Sequence, residues 1–257
     1  MYEKILEEVC ALERKCGEIL KNADRSNVGE ESKGGHGNLV TKYDRMVQDI
    51  LQEGLKRIMP EAVFYGEEED IHQDISKGYA FIVDPIDGTT NFIMDANYSA
   101  ISIGLVKDLE RVAGAVYNPY TDEMFTAIKG QGAFLNGKQI HVSDRDLKDS
   151  ISIFGTAPYY DEFGDSVFKL ASAYYNASLD IRRLGTASLD LCMVAAGKAA
   201  IYFEQRLSPW DFAAGSLIVE EAGGIACDFN GDPLVVNTKT SVVGMNKESS
   251  MLKEYFK

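Results

Sequence analysis

The chain has 257 residues, of which 45% are hydrophobic and 26% charged, a mixture that excludes global disorder and allows a sizeable core. Acidic residues outnumber basic ones 40 to 26, and the resulting charge of −14 repels nucleic-acid backbones and anionic lipid, so no direct nucleic-acid or membrane partner is expected. No apolar run approaches the roughly 20 residues that span a bilayer, and the charged, periodic start Met1-Tyr2-Glu3-Lys4-Ile5-Leu6 lacks a signal-peptide core, so a cytoplasmic protein is expected.

Taken in chain order, Ile5, Val9, Leu12, Cys16 and Ile19 recur at spacings of three and four and predict an amphipathic helix over 2–22. Residues 22–38 turn polar and Gly-rich, with Gly34, Gly35 and Gly37 close together, and read as a mobile loop. A second helix is expected over 42–59, stopping before Pro60, and Val63-Phe64-Tyr65 reads as a strand. The apolar run Ala80-Phe81-Ile82-Val83 reads as a buried strand that leads straight into Asp84-Pro85-Ile86-Asp87-Gly88-Thr89-Thr90-Asn91. From 99 to 140 the pattern becomes an antiparallel meander, with Asn118-Pro119 and Asn136-Gly137 as turns. Beyond 150 strands and helices alternate, with helices expected over 188–196 and 212–222, the latter closed by Gly223-Gly224. Cys10, Cys16, Cys192 and Cys227 form no C-x-x-C pair and read as small core hydrophobes.

Four acidic positions stand at strand ends or helix starts, where α/β folds gather ligand sites: Glu67, Asp84, Asp87 and Asp211. Taken singly, each has a structural reading, an N-cap for an Asp before a helix and a solvated face for Glu67-Glu68-Glu69-Asp70. The segment 84–91 shifts the balance. Its two carboxylates, joined by a Pro turn, can face one site, and Gly88-Thr89-Thr90-Asn91 offers free amides at a helix start for a phosphate. Clustered carboxylates repel unless a cation neutralises them, and oxygen donors without His or Cys suit Mg²⁺, Mn²⁺ or Ca²⁺ better than zinc.

Asp84-Pro85-Ile86-Asp87-Gly88-Thr89-Thr90-Asn91-Phe92 resembles the signature of the inositol monophosphatase family. Trp210-Asp211-Phe212-Ala213-Ala214-Gly215 and Glu220-Glu221-Ala222-Gly223-Gly224 are similar to its second signature, Gly185-Thr186-Ala187 to its Gly-Thr-Ala segment, and Asn38-Leu39-Val40-Thr41-Lys42-Tyr43-Asp44 to its early loop-to-helix element. The resemblance covers nearly the whole chain in order, and several spaced motifs together are far more specific than one.

The resemblance implies an α/β fold, a layered alpha-beta-alpha-beta-alpha sandwich of the inositol monophosphatase and fructose-bisphosphatase type. It would form one compact unit, with an N-terminal half (1–145) carrying most metal ligands and a C-terminal half (146–257) carrying Asp211 and substrate contacts. It implies Mg²⁺-dependent hydrolysis of a phosphomonoester, most specifically inositol 1- or 4-monophosphate, by in-line attack of water without a phosphoenzyme. Glu67, Asp84 and the Ile86 carbonyl would hold a first ion, and Asp84, Asp87 and Asp211 a second. A third, weaker ion would sit near Glu67 with help from Asp44. Gly88 and Thr89 amides would bind phosphate, and Glu67 and Thr89 would activate water. Asp87, Ala187, Glu204, Asp211 and Lys33 would contact substrate. A small phosphorylated polyol or sugar as substrate, a homodimer and lithium sensitivity are likewise implied.

The sequence departs from the family pattern at Ile93-Met94-Asp95-Ala96-Asn97-Tyr98, where His-Gly and then Pro are common, at Asn38, and at Arg206-Leu207-Ser208-Pro209. Other readings compete. A fructose-1,6-bisphosphatase or a 3′-phosphonucleotide phosphatase would keep the chemistry, although Thr90-Asn91-Phe92 favours the inositol type. A non-catalytic regulatory binding protein would keep only the fold. An aspartyl-phosphate enzyme needs one residue between its carboxylates, and here there are two. Gly132 to Gln139 resembles a P-loop without its hydroxyl and reads better as a hairpin, and Asp228 to Pro233 reads as a surface turn rather than a calcium loop. His36, His72 and His141 read as structural or exposed, and Trp210 as packing behind Asp211.

Overall fold

The computed structural model describes residues 1–33, 39–69, 73–158 and 160–246. Gly34, Gly35, His36, Gly37, Asn38, Asp70 and His72, which figure in the sequence reading, lie outside the described residues.

The first helix, α1 (Tyr2–Lys21), buries Val9, Cys16 and Leu20 on the stripe that the sequence spacing anticipates. Part of the expected loop is ordered as a short ladder, because β1 (Glu31–Ser32) pairs with β2 (Leu39–Val40). Helix α2 (Lys42–Ile58) starts at a capping box: Thr41 accepts from the Tyr43 amide, and Asp44 accepts from the Thr41 amide. Strand β3 (Val63–Gly66) is followed by β4 (Tyr79–Asp87), the five-residue helix α3 (Thr89–Ile93), β5 (Ala100–Lys107), β6 (Glu110–Asn118), β7 (Glu123–Ile128), β8 (Gly132–Leu135) and β9 (Lys138–Ile140). These strands form one seven-stranded sheet in the order β3-β4-β5-β6-β7-β8-β9, parallel between β3 and β4 and antiparallel elsewhere. Asn136 and Gly137 hold positive φ of 49° and 77° in the β8–β9 hairpin, as a tight hairpin turn requires.

The C-terminal part supplies β10 (Ile151–Phe154), α4 (Gly164–Ala177), β11 (Asp180–Arg182), α5 (Ala187–Ala195), β12 (Ile201–Leu207), α6 (Pro209–Glu221), β13 (Ile225–Cys227) and β14 (Thr240–Met245). Its sheet runs β11-β10-β12-β14-β13. The expected layering is found. Helices α1 and α2 cover one face of the seven-stranded sheet through Leu20, Val47, Leu51, Phe81 and Ile103. Helices α5 and α6 fill the space between the two sheets, where Leu191, Phe212 and Ile218 meet Ile82 and Val116 on one side and Ile153 and Tyr202 on the other. Helix α4 closes the outer face of the second sheet through Val167, Ala171 and Tyr174.

Small residues set how closely α6 approaches. Gly104 and Gly114 face each other across β5 and β6. A Cβ on either would come within 3.0 Å of Ala213 or Ala214. The helix therefore lies directly on the sheet, which brings its first turn over the end of β4. Cys10 is half-buried and the other three cysteines are buried, all as free thiols, in agreement with their reading as core residues.

Candidate active site

The site begins with an irregularity in β4. Along a regular strand, residues three apart point to opposite faces. Here Asp84 pairs with Ser102 and Asp87 with Ala100, so three steps on β4 oppose two on β5. That extra residue is a bulge, the one place inside a sheet that tolerates Pro85. The side-chain alternation resets across it. Ile86 falls into the α1/α2 core with Phe81 and Val83, and Asp84 and Asp87 both face the α5/α6 side. The sequence reading expected a Pro turn to join the two carboxylates; a bulge within a continuous strand joins them instead.

The other acidic groups arrive from helix starts. Asp211 is the third residue of α6, and its Oδ2 accepts from the Ser208 amide at 2.7 Å. Asp44 holds the same place in α2, with Oδ2 accepting from the Thr41 amide at 2.8 Å. In each case one carboxylate oxygen caps the helix and the other remains for the site, so the capping and functional readings are compatible. Asp44 Oδ1 lies 3.3 Å from Thr89 Oγ1, whose single proton also has the Ile86 carbonyl 3.1 Å away. Asp87 accepts from the Ser188 amide at 2.6 Å and the Ala187 amide at 3.3 Å, the first amides of α5. The Ala187 amide is thus engaged with Asp87, a use that the sequence reading missed.

Asp84, Asp87 and Asp211 each offer an oxygen, and these atoms lie within 4.8 Å of one another. Burial, together with the neighbouring Glu67, Asp87 and Asp211, pushes Asp84 far above the ordinary carboxylate range. Burial and Asp87 push Asp211 the same way. Burial takes Asp87 up to about 7 against the Ser188 hydrogen bond, and takes Asp44 up to about 6. Buried oxygen donors under mutual repulsion, without nitrogen or sulfur among them, fit a hard divalent cation. Glu67, at the end of β3, stands at the rim of this set. Its Oε1 accepts from Lys33 Nζ at 3.0 Å, and Lys33 also bonds Glu68.

Gly88 caps α3 with φ +84°, and a Cβ there would meet Thr186 Oγ1 at 2.3 Å. The Gly88–Thr89 amides stand in the first turn, where helical partners are lacking. The turn is tied in place by Asn91, whose Nδ2 donates to the Tyr98 carbonyl at 2.8 Å and the Leu184 carbonyl at 2.9 Å. The atypical segment 93–98 has its own anchors: Arg25 Nε lies 3.3 Å from Asp95, and Tyr98 OH donates to buried Asp190 at 3.0 Å. Thr186, Tyr98 and Asp190 are supports that sequence reasoning missed, although Thr186 stood inside a motif and Tyr98 inside a departure already singled out.

Glu67, Asp84, Asp87, Thr89 and Asp211 open onto one cleft of about 220 Å³, and the fully buried Asp44 reaches it only through its contact with Thr89. Lys33, Glu67, Asp84, Asp87, Thr89 and Asp211 line its floor, with Ala187 and Glu204 alongside. Glu204 Oε1 accepts from the Ala157 amide at 2.7 Å and Oε2 from Tyr202 OH at 2.6 Å, and burial raises its pKa. Trp210 packs its ring 6.1 Å from that of Tyr65 and also lines the cleft. His141 is exposed.

The family model of the inositol monophosphatase family matches residues 1–256. The chain belongs to the inositol monophosphatase family. It is 36% identical over 234 residues to the Nus factor SuhB of Salmonella typhimurium strain LT2, covering 90% of this chain and 87% of that one. Among solved structures it resembles the extragenic suppressor protein suhB of Bartonella henselae, with a TM-score of 0.90, 33% identity, and coverage of 99% and 98% of the two chains. It also resembles the inositol monophosphate-bound SaIMPase-II, with a TM-score of 0.83, 29% identity, and coverage of 99% and 97%. The α/β sandwich of this inositol monophosphatase family member is thus shared over nearly the full length of these two structures.

Proposed function

We propose that the chain is a Mg²⁺-dependent phosphomonoester hydrolase, an inositol monophosphatase acting on a small phosphorylated polyol or sugar. The observation that carries this reading is the convergence of Asp84, Asp87 and Asp211 within 4.8 Å, in a cleft also lined by Thr89, whose hydroxyl contacts the buried Asp44. Glu67, Asp84, the Ile86 carbonyl, Asp87 and Asp211 would hold two ions, with Asp44 near a weaker third; Mn²⁺ would serve in place of Mg²⁺. When bound, the metal supplies activation of a water and neutralisation of charge on phosphate and leaving oxygen.

The residues themselves do the positioning. Gly88 and Thr89 amides orient the phosphate. Asp44 draws the Thr89 proton, which leaves the Thr89 oxygen free to accept from the attacking water, and Glu67 takes up the released proton. Glu204 and the Ala187 edge receive substrate hydroxyls, and Asp87 and Asp211 contact the substrate as well as metal. Lys33 moves from its carboxylate partners toward the substrate's negative charge. Attack in line predicts inversion at phosphorus; retention contradicts it.

A second reading, a binding protein that kept the fold without turnover, is favoured by the name Nus factor that relatives at 36% identity carry. Every expected ligand residue is present, which supports catalysis. Asp87→Ala separates the two: a hydrolase loses phosphate release, and a pure binding protein releases none to begin with. We also propose a cytoplasmic, lithium-sensitive homodimer that makes no direct contact with nucleic acid. Sedimentation, a lithium titration of activity and a binding assay with RNA are the tests.

A further inference from the structure

The segment 93–98, where the chain departs from its family's pattern, is pinned from both cores of the molecule. Phe92, just before it in α3, is buried in the core between α1, α2 and the seven-stranded sheet. Six residues on, Tyr98 packs its ring against the core around α5 and α6. Between them Asp95 and Asn97 take positive φ of 53° and 56°. Such conformations persist where the surroundings fix them. Arg25 supplies one brace, with its guanidinium 3.8 Å from the centre of the Phe92 ring and its Nε 3.3 Å from Asp95. Tyr98 supplies the other.

Tyr98 is bonded at both ends. Its hydroxyl donates to Asp190 Oδ1 at 3.0 Å, and Asp190 is buried. Its carbonyl accepts from Asn91 Nδ2 at 2.8 Å and from Thr186 Oγ1 at 2.7 Å. Asn91 belongs to α3, the helix that begins at the Gly88 and Thr89 amides. Thr186 is the N-cap of α5, and the next two amides of α5 hold Asp87. Asp190 lies one turn along the same helix, its amide donating to the Thr186 carbonyl at 2.9 Å. Tyr98 thus ties α3 to α5, and α5 is itself tied to β4 through Asp87. A buried hydrogen bond to a carboxylate holds its geometry well, because little water competes for it.

We propose that Tyr98, held by Asp190, is a positioning residue that sets the Gly88 and Thr89 amides in register with the carboxylate set, so that one phosphate meets both. The inference rests on the hydrolase reading above and deepens it. Neither Tyr98 nor Asp190 touches the substrate in this role. The amides hold phosphate in the ground state and the transition state alike, so a displaced turn raises KM more than it lowers kcat.

The test measures the affinity of the Mg²⁺-loaded protein for inorganic phosphate by calorimetry, beside KM and kcat on the phosphomonoester it hydrolyses best. Tyr98→Phe keeps the ring and removes the hydroxyl. It should raise the phosphate Kd and KM by about three- to tenfold, the range of one hydrogen bond, and change kcat by less than about threefold. Asp190→Ala should do the same, and the double variant should be no worse than either single one, because all three remove the same bond. Asp190→Asn keeps an acceptor for the hydroxyl and should stay within about twofold of the parent. Variants that melt earlier while Kd and KM stay unchanged overturn the inference and mark the pair as packing alone. Additive losses in the double variant overturn it as well, as does a loss confined to kcat. If Asp190→Ala does not fold, the contrast between Tyr98→Phe and Asp190→Asn decides, and no difference between them overturns the inference. Phosphate affinity that follows these variants in a protein that hydrolyses no substrate contradicts the hydrolase reading and leaves the role of Tyr98 in phosphate binding standing.

Discussion

Asp84 and Asp87 face the same side of β4 although they are three residues apart, because the bulge at Pro85 adds one residue between their partners Ser102 and Ala100. Ile86 marks the same reset from the other face, buried at 1% exposure among the α1/α2 core residues. The site's electrostatic tension follows from this local geometry: two carboxylates are delivered to one buried point, and α6 adds a third.

That tension predicts opposite effects on stability and activity. Asp84→Asn removes one of three mutually repelling buried groups. In EDTA its melting temperature should rise by about 2–4 °C, corresponding to about 1 kcal/mol for a chain of this size. Mg²⁺ should raise the melting temperature of the unsubstituted protein by mass action and that of the variant far less. Phosphate release should fall more than about 10²-fold. Calorimetry with and without Mg²⁺ checks the first two effects; a variant less stable than its parent in EDTA contradicts the repulsion.

The Asp44–Thr89 contact predicts a hydroxyl requirement. Thr89→Ala should lower kcat by about 10²–10⁴-fold, the range of general acid–base contributions, with little change in folding. Thr89→Ser keeps the hydroxyl at the site and should retain most activity. Equal loss in both variants would show that the methyl packing, not the hydroxyl, matters.

Gly88→Ala should destabilise by about 1–3 kcal/mol, because φ is +84° and the new Cβ would meet Thr186 Oγ1 at 2.3 Å. Thr186→Ser leaves the hydroxyl and the clash in place; Thr186→Ala relieves the clash and should recover part of the loss. Urea denaturation of the single and double variants measures the coupling.

Much of this site was legible beforehand because its residues come in short contiguous runs. Asp84 to Asn91 and Trp210-Asp211 carry clustered carboxylates and helix starts side by side, and the sequence pattern placed α1, α2 and α5 within a residue at either end, whereas α6 begins at Pro209, three residues before its expected start. The bulge was not legible, since a Pro after an apolar run reads equally as a turn. The Ala187 and Ser188 amides on Asp87, and the Tyr98–Asp190 pair, join residues about a hundred positions apart, and one sequence holds no signal for such pairings. Arg206 stood out as a departure, but its stacking on Tyr160 joins β12 to the segment between β10 and α4, a pairing that one sequence does not signal.

Glu13 was equally invisible, an acidic residue on the buried stripe of α1. It is fully buried, and neither carboxylate oxygen has a hydrogen-bond partner. Burial pushes its pKa well above its ordinary value of 4.5. The folded state therefore holds a proton that the unfolded chain releases above pH 4.5. Its contribution is fully present below that pH and is lost as pH rises toward the folded value. Glu13→Leu should flatten this slope and stabilise the protein by about 1–4 kcal/mol at pH 8. Urea denaturation from pH 5.5 to 8.5 measures it; a variant whose stability falls with pH as steeply as its parent's contradicts the assignment.

The most direct measurement is phosphate release from a panel of small phosphomonoesters and bisphosphates, with and without Mg²⁺, by the unsubstituted protein and by Asp87→Ala. Turnover that requires Mg²⁺ and disappears in the variant, while the variant remains folded, is the predicted result. Turnover that survives EDTA or survives the loss of Asp87 contradicts the carboxylate-held metal site on which the reading stands.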